Sequence, residues 1–166
     1  MTSIPELENR DGLTWLEGTI LAAIRTWVLG CKRGVSAERP LQILFGNLRA
    51  FPAAEHLDHF MQALNGGCTR MIEVCCTCEP MLSGDEMLLL DMFALMQEER
   101  HEAATDLLAR FVTATAAHDA SGHALAIVQV LREAGHALAR GPAALRRHGH
   151  PAIDPVPGRG ASPTLH

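Results

Sequence analysis

The residues with the most chemical potential crowd into one short stretch, Cys75-Cys76-Thr77-Cys78, with Cys68 upstream and Cys31 apart from them. Cys75 and Cys78 form a Cys-x-x-Cys knuckle. That spacing is half of a structural zinc site, because a turn of this length brings two thiolates within reach of one ion. The other half needs two more ligands. Cys68 is one candidate; His56 and His59 are others, since residues three apart share one face of a helix. A His56, His59, Cys75, Cys78 set would satisfy a tetrahedral ion, and zinc is the one cofactor the sequence suggests. There is no second Cys-x-x-Cys, and the ligand order differs from that of the common zinc fingers.

The favoured reading of the same cysteines is packing. Free cysteine behaves as a small apolar side chain, and a chain of 166 residues can bury a core without metal. Redox chemistry is the third reading. A Cys-x-x-Cys at a helix start has a lowered thiol pKa, but Pro80 and the Ser83–Glu86 segment place the next helix start downstream, and no βαβ pattern surrounds it.

Other candidates are thinner. Glu98-x-x-His101 has the spacing of a di-iron ligand pair, but such bundles need a second copy and two further glutamates. Glu55-x-x-Asp58 lacks the histidine, so a solvated charged helix end is expected at Glu98–His101. His118, His123 and His136 are expected at the surface, and His148, His150 and His166 fall in the C-terminal tail. Asp91 sits in the most apolar stretch of the chain, where a buried carboxylate must be paired or neutral; Arg70 or another Arg from a neighbouring helix is its expected mate. Phosphate loops, dinucleotide fingerprints, nucleophile elbows and His-Glu-x-x-His zinc motifs are all missing from the sequence.

The elements that must position these residues read as helices. Leu13, Leu16, Ile20, Ile24, Trp27 and Val28 recur at three- and four-residue steps. Asp11 or Thr14 can cap this helix, and Gly30 is its expected stop. A second helix follows Ser36 with Leu41, Leu44, Phe45 and Leu48 on its face. Pro52 opens a third with Leu57, Phe60, Met61 and Leu64, ended by Asn65-Gly66-Gly67. Residues 68–82 read as a loop or short extended segment. Ser83-Gly-Asp-Glu86 is a capping box, and the helix after it is apolar on nearly every side, as a central buried helix is. A further helix carries Leu107, Leu108, Phe111 and Val112. His118–Gly122 reads as a turn before a last helix running to about Arg140.

The sum is an all-α, single-domain, bundle-like array of five or six helices with an extended cysteine-rich segment. The domain is expected over residues 11–141, after an N-terminal lead-in (1–10). The tail from 142 to 166, rich in Pro, Gly, Arg and His, is expected to be disordered. Composition agrees: 48% apolar, only five Phe, two Trp and no Tyr, so Leu, Ala, Met, Ile and Val must build the core. The net charge is −5, of which the segment from Gly141 contributes +2, leaving −7 on the body. A net-acidic body disfavours nucleic acid and anionic membrane as partners. Five cysteines without a leader-like apolar stretch lead us to expect a reducing, cytoplasmic setting. The functional expectation is a non-enzymatic protein–protein interaction or regulatory module, with a homodimer or another protein as partner. A zinc-binding domain is the alternative, and an enzyme comes third.

Overall fold

The computed structural model describes residues 12–138, and among them there are six α-helices and no strand. The expected lead-in and the expected disordered tail lie outside the described residues, and the last helix, expected to run to about Arg140, ends earlier, at Glu133, ahead of Gly135 in the left-handed conformation (φ 88°).

Helix α1 (Trp15–Arg33) starts on a full capping box: the Glu17 amide donates to Thr14 Oγ1, and the Thr14 amide donates back to the Glu17 carboxylate. Thr14, not Asp11, is therefore the cap. The helix runs past Gly30 and stops at Gly34, which takes the left-handed conformation (φ 68°) that favours glycine. Gly30 has a different purpose. A Cβ there would stand 2.8 Å from the Val35 carbonyl oxygen, so its smallness lets the chain fold back on the helix.

Helix α2 (Glu38–Asn47) has Ser36 Oγ accepting from the Glu38 amide at its entrance. Helix α3 (Ala53–Gly67) follows Pro52 and ends on the Asn65-Gly66-Gly67 triplet, as expected. Helix α4 (Gly84–Gln97) begins at the Ser83–Glu86 capping box. A turn at residues 98–100 leads to the short helix α5 (His101–Leu108). Phe111 and Val112, expected on this helix, lie beyond it. Val112 instead forms an isolated antiparallel bridge with Cys68.

Helix α6 (Ala114–Glu133) absorbs the expected turn at His118–Gly122. The polar residues there mislead because the buried stripe is made of alanine: Ala117, Ala120 and Ala124 face the core at three- and four-residue steps. Such a stripe lets helices approach closely. The most extensive helix–helix interface is α3 against α6, and a Cβ on Gly67 would collide with Ala116 Cβ.

Helix α4 packs on α1, α5 and α6, and its residues Leu89 to Met96 are all buried. Phe93 on α4 meets Phe60 on α3 at 5.3 Å between ring centres, an arrangement that adds to plain area burial. No helix among the described residues is long and apolar enough to cross a membrane.

Candidate functional site

The cysteine segment is held in place by the first turn of α4. Glu86 is fully buried, and it completes the Ser83 capping box by accepting from the Ser83 amide at 2.9 Å. The same carboxylate receives Arg25 of α1 through Nε at 2.7 Å and Nη2 at 2.9 Å, and the Cys75 amide at 3.1 Å. Burial pushes the Glu86 carboxyl up, but Arg25 and these amide donors outweigh it and hold the group below the usual carboxylate range. Glu86 raises the Arg25 pKa in return.

Arg25 then spends its remaining donors on the loop. Nη1 reaches the Glu79 carbonyl at 2.6 Å and Nη2 the Met81 carbonyl at 2.7 Å. The neighbouring carboxylate, Asp85, binds Arg70 through both terminal nitrogens and accepts the Glu73 amide at 2.8 Å. Ser83 Oγ donates to the Glu73 carbonyl. A segment with no regular ladder of its own thus has five of its backbone groups, the amides of Glu73 and Cys75 and the carbonyls of Met71, Glu79 and Met81, bound by two carboxylates and two arginines. Arg70, one of the expected mates of Asp91, pairs with Asp85, and its guanidinium lies 4.9 Å from the Phe111 ring centre.

The thiols do not share one environment. Cys75 is half-buried, and burial followed by the Glu86 charge raises its pKa. Cys76 and Cys78 are exposed, with their sulfur atoms 3.0 Å apart. The Cys78 thiol, helped by the amides of Cys78 and Glu79, lowers the Cys76 pKa, and Cys76 raises that of Cys78. Cys68 is exposed and directs its thiol to the Asn65 carbonyl. Thus the sequence pairing of Cys75 with Cys78 is replaced by Cys76 with Cys78.

The expected ligands are not gathered. His56 and His59 of α3 face His123 of α6, with ring centres 6.2 and 5.2 Å from it. Among the described residues no three His, Cys, Asp or Glu side chains are arranged to hold a metal ion. His56 Nδ1 is buried and finds no hydrogen-bond partner. Glu98 and His101 also part company: Glu98 caps the end of α4 and His101 opens α5, so they do not share a helix turn.

One surface feature was not legible in the sequence. A groove of about 540 Å³ opens between α1, α3 and the 68–74 segment. Trp27 and Val28 come from α1, Met61 and Leu64 from α3, and Met71 and Ile72 from the segment. Trp27 is fixed by donating Nε1–H to Asp58 at 2.7 Å. Met71 is 88% exposed. The residues come from three elements with no common periodicity, which is why no single helical face announced the groove. No protein-family model, no curated protein and no solved structure matches this chain.

Proposed function

We propose that the chain is a non-catalytic interaction module whose contact face is the groove between α1, α3 and residues 68–74. The observation that carries this reading is an apolar floor (Trp27, Val28, Met61, Leu64) beside Met71, which the fold holds almost fully in water. The groove offers apolar surface to an incoming side chain, and methionine adapts its shape to what it meets. The fixed indole of Trp27 supplies the rigid anchor that interfaces use. The partner is another polypeptide, supplying an apolar segment.

The test places a photo-activated cross-linking residue at position 71, with the same residue at exposed Gln129 of α6 as the control. A defined adduct from position 71 and none from 129 supports the reading. A dimer-sized adduct would assign a second copy, and sedimentation of the unmodified chain would then show concentration-dependent association that Met71→Asp abolishes. Equal labelling from both positions, or a strict monomer with no adduct from 71, would sink it.

A further inference from the structure

We propose that Cys76 and Cys78 form a redox-active dithiol, in which Cys76 attacks a low-molecular-weight disulfide such as oxidised glutathione and Cys78 resolves the adduct to an intramolecular Cys76–Cys78 disulfide. This inference is independent of the groove.

Geometry comes first. Both thiols are exposed and free, and their sulfurs stand 3.0 Å apart across one intervening residue. Two thiolates bound to one tetrahedral zinc stand about 3.8 Å apart, given Zn–S bonds of about 2.3 Å. The pair is therefore closer than a shared ion requires, and about 1 Å from the bonding distance of a disulfide. The backbone that carries the pair is fixed on both sides. The Cys75 amide is bound to Glu86, the Glu79 carbonyl to Arg25, and the Glu79 amide closes a turn on the Cys76 carbonyl at 3.1 Å. Holding two reacting groups in this way raises their effective concentration and favours ring closure over a lasting mixed disulfide.

The order of attack follows from the hydrogen bond between the thiols. Either sulfur can donate in this contact; with Cys78 as the donor the Cys76 pKa is lowered and that of Cys78 raised, so Cys76 is the thiol more readily converted to the thiolate, which is the nucleophile. It attacks one sulfur of the small disulfide. A new S–S bond forms on Cys76, the old one breaks, and a small thiolate leaves. With Cys76 no longer an anion, the charge that kept Cys78 protonated is gone. Cys78 passes its proton to the first small thiolate and attacks Cys76 sulfur, expelling the second small thiolate, which takes up from water the proton that Cys76 released on ionising. In sum, a protein dithiol and a small disulfide become a protein disulfide and two small thiols. The protein loses two electrons and two protons, and the small disulfide gains both.

The neighbouring cysteines give internal controls. Cys75 is half-buried with a raised pKa, and Cys31 and Cys68 are exposed but stand alone. The experiment exposes the full chain to oxidised glutathione, quenches with acid, and reads the products by intact mass and peptide mapping. The Cys78→Ser variant, treated in parallel, sets the time scale. In the variant, where the serine hydroxyl can still donate toward the Cys76 sulfur, Cys76 should collect one glutathione, and it should do so faster than Cys31. At the time the variant is fully modified, the unaltered chain should be lighter by two hydrogens, with Cys76 and Cys78 joined. Any of three results overturns the proposal: no adduct on Cys76 of the variant, glutathione persisting on Cys76 of the unaltered chain, or a bond from Cys75 to Cys78.

Discussion

Two regions of this molecule are held together by opposite means. The cysteine segment, residues 68–82, buries few large side chains of its own and is fixed by hydrogen bonds in which Arg25 and Arg70 donate to its carbonyls while Asp85 and Glu86 accept from its amides. The α3–α6 interface relies on close packing, with Ala117, Ala120 and Ala124 buried and Gly67 set against Ala116. The first region is specified by direction and charge, and the second by volume. Each should therefore fail to a different kind of change.

Glu86→Ala should have the largest effect. It leaves Arg25, 6% exposed, as a buried charge without its carboxylate, removes the capping box of α4 and frees the Cys75 amide. Breaking a buried pair in this way costs about 3–5 kcal/mol, to be read from urea unfolding. A loss below about 1 kcal/mol would mean the clamp is not what holds the segment. Gly67→Ala tests the other region. The added methyl meets Ala116 directly, and overpacking of a close helix contact costs about 1–3 kcal/mol. Gly66→Ala, one residue away with open space around its Cβ, should cost nothing or stabilise the helix. Equal effects at 66 and 67 would remove the volume argument.

Asp85→Asn should act more locally. It weakens the Arg70 pair and the acceptor of the Glu73 amide, both at the surface end of the clamp. Amide exchange at Glu73 should accelerate while exchange in α3 and α6 stays unchanged. Uniform acceleration would show that the segment and the bundle open as one unit.

How much of this was legible beforehand differs between the same two regions. The capping box at Ser83–Glu86, the central apolar helix behind it and the all-helical class can be read from residue types, because each rests on local spacing. The second use of Glu86 cannot be read in this way. Its partner Arg25 lies 61 residues away, and nothing in either neighbourhood marks the pair. Sequence spacing likewise joined Cys75 to Cys78 by a familiar pattern, whereas the turn on Glu79 places Cys76 beside Cys78. In the packed region the error runs the other way. His118–Gly122 looks like a turn because its polar residues are conspicuous, while the alanines that bind α6 to α3 carry almost no signal.

The smallest effect separates the regions by pH. His123 lies on the packed interface, facing His56 and His59 of α3, with Asp119 one helical turn away on α6 at 3.8 Å. Burial lowers its pKa from 6.5; Asp119 opposes that shift, and the two facing histidines add to it. The folded protein therefore holds its proton less well than the unfolded chain. As pH falls through 6.5 the unfolded state takes up the proton first, so stability is lost on acidification and is fully present above that range. Glu86 acts in the same direction but at lower pH. Its folded pKa is depressed, so its contribution is present above the ordinary value of 4.5 and is lost as pH falls below it. Thermal unfolding between pH 7.5 and 5.5 should thus show the loss that His123 contributes. His123→Gln should flatten that limb and leave the loss below pH 4.5 intact. His56→Leu, which removes a buried nitrogen that has no partner, should leave stability unchanged or raise it. If His123→Gln leaves the upper limb as steep as before, the histidines at the α3–α6 face are not what titrates, and the volume-built region has no pH dependence of its own.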